Sequence, residues 1–155
     1  MNKDKYVIRK LEIGDYMNSY LSLLKQHFTI DITSISFTDF KDFIHNLNIN
    51  HQVFIAEHIP TSHLSTEHYL VGSITILIEK KLIHSMGKVA HIEDVIVHEN
   101  YRKKGLGKML INKCIEYAKE KNCYKIVLYC EEENIDFYQK CGFKKNDNQT
   151  LSIYF

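Results

Sequence analysis

The 155 residues include 20 lysines and arginines and 19 aspartates and glutamates, which leaves a formal net charge of only +1. So small a charge creates no global field for nucleic acid or an anionic membrane, and we expect neither as a partner. The four cysteines lack the spacing of a zinc site, so we expect no metal and free thiols in a reducing cytoplasm. The longest apolar run, residues 74–78, is too short to span a bilayer. The length predicts one domain, residues 1–155, around one core.

The first half of the sequence predicts strands, two helices and a hairpin. Residues 6–11 read as a strand, and apolar residues at helical spacing over 16–24 and 37–47 predict two amphipathic helices. The second helix has Ser36 or Thr38 as its cap. Strands at 53–56 and 69–79 are separated by a polar turn from Pro60 to Thr66 and therefore predict a hairpin. A loop over 80–87 leads to a strand at 89–98.

In the second half, helices alternate with strands. Helical spacing runs from Leu106 through Lys121, and a strand at 126–128 and a short helix at 135–140 follow. Terminal strands are predicted around Phe143 and over 151–154. This alternation implies parallel pairing, whereas the hairpin implies antiparallel pairing. The sequence therefore predicts an α/β (α+β) fold with a mixed sheet of six to seven strands flanked by helices.

A basic glycine loop joins the strand at 89–98 to the helix that starts at Leu106. A helix N-terminus attracts anions through its unpaired N–H groups, and glycine lets an anion approach the backbone. We expect a pyrophosphate cradle here, the alternative being a basic, solvated helix start. Only Leu106 separates the two glycines, which excludes a P-loop, and Leu110 stands where a Rossmann fingerprint has its third glycine. The candidate ligands are Arg102, Lys103, Lys104, Gly105, Leu106, Gly107 and Lys108.

The R-x-x-G-x-G pattern of this loop is the one that GNAT acetyltransferases use for coenzyme A. Three segments narrow the resemblance: His91-Ile92-Glu93-Asp94-Val95, residues 101–110, and residues 123–143 with the pattern F-Y-x-K-C-G-F. Together they closely resemble the glucosamine 6-phosphate N-acetyltransferases, strongly over 69–143 and weakly over 26–68. The resemblance implies the GNAT fold and a homodimer whose acceptor site draws on both subunits. It also implies direct transfer of acetyl from acetyl-coenzyme A to the 2-amino group of glucosamine 6-phosphate, as in UDP-N-acetylglucosamine biosynthesis.

The resemblance also assigns roles to individual residues. A splayed strand over Val95, Ile96 and Val97 meets the pantetheine arm of the coenzyme, and Asn134 either bonds that arm or caps a helix. Tyr138 binds the coenzyme and protonates the departing thiolate, since a phenol with a pKa of about 10 stays protonated at neutral pH. The acceptor would meet Thr29, Lys81, His84, Glu93, Asp94 and Tyr129. Taken alone, Lys81 and His84 are surface residues.

One departure from the family concerns the base that accepts the amine proton. Tyr129 stands where relatives carry an acid, and Glu131, two residues on and on the same face of an extended strand, could substitute. We rank Glu93 first, Asp94 second and Glu131 third. The chain also ends without the arginine that relatives use for the sugar phosphate. The alternatives are a GNAT enzyme that acts on another amine, such as a polyamine, an aminoglycoside or a protein N-terminus, and a non-catalytic acyl-coenzyme A-binding protein.

Overall fold

The computed structural model describes residues 5–60, 69–147 and 150–153, and in these ranges five strands form one sheet. Each strand pairs antiparallel with its neighbours in the chain, except that β4 and β5 run parallel. The mixed sheet and the hairpin of β2 and β3 confirm the predicted fold. Of the predicted turn from Pro60 to Thr66, only Pro60 is described, and residues 61–66 lie outside the described residues. The strands are β1 Lys5–Lys10, β2 His51–Ile59, β3 Tyr69–Lys80, β4 Lys88–Val97 and β5 Cys123–Leu128.

In the described part of the chain, five α-helical segments and three short 3-10 helices accompany the sheet. The α-helical segments are α1 Tyr20–Lys25, α2 Phe37–Asn46, α3 Ile83–Met86, α4 Leu106–Glu120 and α5 Ile135–Lys140. Ser36 caps α2 as predicted: its Oγ accepts the N–H of Asp39 at 3.1 Å, and the Asp39 carboxylate accepts the N–H of Ser36 at 2.9 Å. The predicted loop over 80–87 contains α3, a single turn with three successive positive φ angles at residues 84–86. Across the described residues, no helix is long and apolar enough to cross a membrane.

Both faces of the sheet are covered by helices. Phe54 and Ala56 of β2 pack in the cluster beneath α4, while Val53 and Ile55 pack in the cluster beneath α1 and α2. Successive side chains of a strand point to opposite faces, so burial on both faces makes the middle of β2 a continuous apolar run. The cluster beneath α4 is built on Leu106, Leu110, Ile111 and Cys114.

The predicted terminal strands do not form in the described residues, so the strand count is five rather than six to seven. Phe143 and residues 150–153 have no strand assignment. Leu151 and Ile153 are 96 % and 79 % exposed, respectively. A strand requires a partner, and within these ranges the outer edge of β5 is left without one.

Candidate active site

The strands β4 and β5 separate halfway along β4. Their pairing runs from Lys88 opposite Cys123 to Ile92 opposite Leu128, and ends there. Beyond that point β4 continues to Val97, while the chain after β5 turns into α5. In the described part of the chain, residues 95–97 of β4 therefore have strand partners only on the β3 side. This gap, which we call the splay, coincides with the strand segment that the resemblance assigns to the pantetheine arm.

A bulge in β4 lies at the start of the splay. Glu93 pairs with Thr75 and Ile96 pairs with Ser73, so β4 carries one residue more than β3 between these two pairs. Asp94, inside the bulge, has a φ of 50°. In a G1-type bulge this left-handed position is normally a glycine, because a Cβ makes the conformation unfavourable. The aspartate is therefore held in a conformation that re-aims its side chain.

A groove of about 810 Å³ opens at the splay. We call it the loop groove, because the basic glycine loop forms one wall and α5 forms another. Its volume lies in the range of about 300–1,000 Å³ that is usual for ligand sites. Of the coenzyme residues predicted from the sequence, the groove is lined by Val95, Val97, Arg102, Lys103, Gly105, Leu106, Gly107, Lys108, Asn134 and Tyr138.

Two predicted coenzyme residues do not line the loop groove. The side chain of Ile96 is 1 % exposed and packs in the cluster beneath α1 and α2, because the bulge reverses the alternation of side chains along β4. Lys104 places its ammonium 4.9 Å from the centre of the Tyr101 ring, a cation–π contact. The side chain of Ile96 therefore faces the opposite side of the sheet from the groove.

Five lining residues were not predicted from the sequence: His27, Tyr101, Phe137, Lys140 and Cys141. His27 carried no usable signal, because it precedes the glycine loop by some 75 positions. Phe137 could have been found from its place in the F-Y-x-K-C-G-F motif. Together with Arg102, Lys103 and Lys108, the extra Lys140 makes the lining cationic, and the lining residues that the structure describes include no carboxylate. Such a surface suits a ligand with several phosphates.

The two glycines of the loop act in different ways. Gly105 has a φ of 84°, and a Cβ there would meet no atom within 4 Å, so the conformation rather than space requires glycine. Lys103 is also left-handed, with a φ of 62°. Turns of this kind gather backbone N–H groups into anion-binding nests. At Gly107 a Cβ would lie 3.0 Å from Cζ of Phe137, so this glycine permits the close approach of α5 to α4.

Tyr138 is half-buried at the wall that α5 contributes to the loop groove. Burial is the main cause that raises its pKa to about 12, with contributions in the same direction from the nearby Cys130 and Cys141. The phenol therefore stays protonated across the neutral range and is able to donate a proton to a stronger base. Its ring contacts Phe137 and Phe143, at centroid distances of 5.0 and 6.0 Å. The side chain of Asn134 makes no capping bond to α5 and faces the groove instead.

A second cavity, of about 450 Å³, lies between α1, α2 and the sheet, and we call it the α1–α2 cavity. Thr29 and Asp94, two of the predicted acceptor residues, both line it. Asp94 Oδ2 lies 3.5 Å from Oγ1 of the buried Thr75. Burial raises the pKa of Tyr20, which lines the same cavity, to about 12; its bond to Ser73 opposes this rise, and the charge of Asp94 adds to it. The carboxylate of Asp94 therefore lies on the α1–α2 side of the sheet.

The other predicted acceptor residues are dispersed. Glu93 is half-buried and lines neither the loop groove nor the α1–α2 cavity. Tyr129 is 66 % exposed and lines a cavity of about 270 Å³ at the outer edge of β5, which we call the β5-edge cavity. Glu131 is exposed beside Glu132 and Glu133, away from Asp94 in the α1–α2 cavity.

The two candidate phosphate ligands before β4 also lie apart from Asp94. Lys81 pairs with Glu79, whose other oxygen lies 3.1 Å from the His91 ring, and these contacts lower the pKa of Glu79. The His84 ring packs on Tyr124 at 4.5 Å. Tyr124 lies level with Lys88 and Val89 of β4. Five to six strand residues, roughly 17–20 Å, therefore separate this ring pair from Asp94. One hexose phosphate does not extend that far.

The mixed sheet, the splay and the cationic loop are together typical of an acyltransferase fold. The model of the acetyltransferase (GNAT) family matches residues 18–143, and the chain belongs to this family.

Within the family, the chain is similar to enzymes that act on an amino sugar phosphate. It is 38 % identical to the glucosamine 6-phosphate N-acetyltransferase of Candida albicans over 141 residues, which cover 90 % of this chain and 89 % of that protein. It is 33 % identical to glucosamine 6-phosphate N-acetyltransferase 1 of Oryza sativa subsp. japonica, over 98 % of this chain and 88 % of the relative. The crystal structure of the Arabidopsis thaliana enzyme superposes with a TM-score of 0.86 at 32 % identity, covering 97 % of this chain and 99 % of that one.

Proposed function

We propose that this protein transfers the acetyl group of acetyl-coenzyme A to the 2-amino group of glucosamine 6-phosphate. The observation that carries the proposal is the position of the splay. It opens the cationic loop groove on one side of β4, where Tyr138 lies, while Asp94 in the same strand faces the α1–α2 cavity. A thioester in the splay would thus be reached by an amine from the opposite side. The similarity to glucosamine 6-phosphate N-acetyltransferases supports the choice of amine.

The chemistry requires three groups. The amine nitrogen attacks the thioester carbon and gives up a proton, for which we propose Asp94 as acceptor ahead of Glu93, because Asp94 lines the cavity. Backbone N–H groups of β4 that point into the splay, on the side without a strand partner, would stabilise the oxyanion. When the carbon–sulfur bond breaks, the thiolate takes the phenolic proton of Tyr138. We keep Glu131 as the third candidate base, to be tested alongside the other two.

The proposed assembly is a homodimer in which each acceptor site uses both subunits. The outer edge of β5 and the exposed apolar residues Leu151 and Ile153 would be covered by a second copy. The distance of His84 from Asp94 supports the same assembly, because His84 can act at the acceptor phosphate only in a partner's site. We also propose a single catalytic domain over 1–155. The four free thiols support a reducing cytoplasm as its location.

A mixing experiment tests the shared site. Asp94→Asn and His84→Ala are each expected to lower activity strongly. When the two proteins are mixed and allowed to re-associate, half of the dimers carry one site free of both substitutions, which restores roughly a quarter of parental activity. A site built within one chain would gain nothing on mixing. Light scattering on the parent, with a Leu151→Asp/Ile153→Asp double variant as comparison, establishes whether the dimer exists and depends on that segment.

The acceptor is tested by thiol release with glucosamine 6-phosphate, unphosphorylated glucosamine and spermidine, with Tyr138→Phe as the impaired control. A phosphate held by charge-assisted hydrogen bonds should favour the phosphosugar by on the order of 10–100-fold in kcat/KM. Equal rates with both sugars, or faster acetylation of spermidine, would assign a different amine. No thiol release with any amine, despite tight coenzyme binding, would indicate a binding protein of the same fold.

A further inference from the structure

The segment between α1 and α2 contacts both ligand sites. His27 lines the loop groove, while the next two residues, Phe28 and Thr29, line the α1–α2 cavity. The rings of His27 and Phe28 lie 6.3 Å apart. The backbone hydrogen bond that continues α1 into this segment runs from the Phe28 N–H to the Leu24 carbonyl, with an N···O distance of 2.9 Å. Three consecutive residues thus span from one site to the other.

One side-chain contact ties this segment to the glycine loop. A guanidinium nitrogen of Arg102 lies 2.9 Å from Nε2 of His27, and Arg102 Nε donates to the Val97 carbonyl at 3.2 Å. Arginine has no acceptor atom, so the contact requires His27 Nε2 to accept, with the ring proton on Nδ1. The contact joins residues 75 positions apart. It connects the end of the splay, the anion-binding loop and the acceptor segment.

We propose that His27 is a positioning residue that couples coenzyme binding to the acceptor cavity. Phosphates bound at the loop restrict Arg102, and Arg102 then restricts His27 and, through the chain, Phe28 and Thr29. A site ordered by one ligand costs the second ligand less to bind, and the coupling acts equally in both directions. The proposal rests on the proposed coenzyme site and extends it, but it does not depend on which amine is the acceptor.

Amide hydrogen exchange tests the coupling with coenzyme A alone, so no acceptor is needed. In the parent, saturating coenzyme A should slow exchange over residues 27–32 by about 5-fold or more, the lower end of typical coupling. His27→Leu keeps bulk but cannot accept from Arg102, so the slowing should disappear there. His27→Gln supplies an acceptor oxygen and should restore it. The matched control is His45→Leu on α2, because His45 is exposed and lines neither site.

Three results would overturn the proposal. The first is equal slowing in the parent and in His27→Leu. The second is unchanged exchange in the parent when calorimetry shows coenzyme A bound, and the third is no binding of coenzyme A at all. A kinetic readout separates coupling from a merely local role: His27→Leu should raise the acceptor KM with little change in kcat, and His27→Gln should reverse that rise. If the parent does not acetylate glucosamine 6-phosphate, the proposed acceptor fails while the exchange result stands.

Discussion

Substitution of Asp94 is the sharpest test of the site, because stability and activity should respond differently. The left-handed backbone predicts that glycine is tolerated there, whereas loss of the carboxylate predicts loss of activity. A left-handed conformation costs an L-residue roughly 1–2 kcal/mol, and aspartate less than most. Glycine would remove that cost, but it loses about 0.5–1 kcal/mol through greater freedom in the unfolded chain. Since Asp94 is exposed and loses little packing, Asp94→Gly should leave the free energy of unfolding unchanged or raise it by up to about 1 kcal/mol.

Activity should change in the opposite direction. If the carboxylate takes the amine proton, its removal should lower kcat by ~10²–10⁴-fold. Asp94→Asn keeps the shape and tolerates a positive φ, so it should be equally slow and about as stable as the parent. Asp94→Val places a branched side chain at φ 50° and should be destabilised. Urea unfolding gives the stabilities, and thiol release with saturating glucosamine 6-phosphate gives kcat.

Asn122 is the matched control for this series. It is also exposed and left-handed, with a φ of 57°, and it lies just after α4 and away from both ligand sites. Asn122→Gly should therefore show the same small effect on stability without loss of kcat. The argument fails if Asp94→Gly unfolds more than about 1 kcal/mol more easily than the parent, since relief of strain should offset the entropic cost of glycine. It also fails if Asp94→Asn keeps kcat within twofold of the parent.

Three further substitutions test other parts of the structure. Tyr138→Phe keeps the ring contacts and should slow turnover by ~10²–10⁴-fold without changing coenzyme affinity in calorimetry. In the parent the pKa of Tyr138 is raised to about 12, so loss of the phenolic proton should not lower kcat between pH 7 and 9. Gly107→Leu should raise the KM for acetyl-coenzyme A by displacing Phe137, and Phe137→Ala should partly restore it. Arg9→Met leaves the buried Asp15, 1 % exposed, without its ion pair and should cost about 3 kcal/mol in urea unfolding. Asp15→Leu in the same chain should recover only part of this loss, because Glu57 has also lost its bond to Arg9.

Features that depend on local sequence were predictable. The start of α2 follows from Ser36 and Asp39, whose side chains satisfy each other's backbone N–H groups within four residues of chain. The glycine loop could be placed because the strand before it and the helix after it both have clear periodicity. The mixed sheet followed from the same order of elements. Such signals need no knowledge of what lies across the fold.

Features that depend on a distant partner were not predictable. The contact between His27 and Arg102 spans 75 positions, and nothing around His27 marks it. The bulge at Asp94 is a one-residue offset against β3, which exists only once the two strands pair. The strand predicted over 151–154 has apolar residues in strand-like alternation, yet alternation cannot supply a partner, and Leu151 and Ile153 remain exposed.

The bulge and the splay depend on each other. Ala90 and Ile92 pack beneath α4, and strict alternation would send Ile96 to that face as well, and Val95 and Val97 to the α1–α2 face. One extra residue reverses this pattern: Ile96 fills the core beneath α1 and α2, while Val95 and Val97 line the loop groove that the departure of β5 has opened. The same inserted residue turns Asp94 toward the α1–α2 cavity. A regular β4 would turn Val95 and Val97 away from the loop groove and Asp94 away from the α1–α2 cavity. One strand therefore lines both cavities, from opposite faces, only because it is irregular at this point.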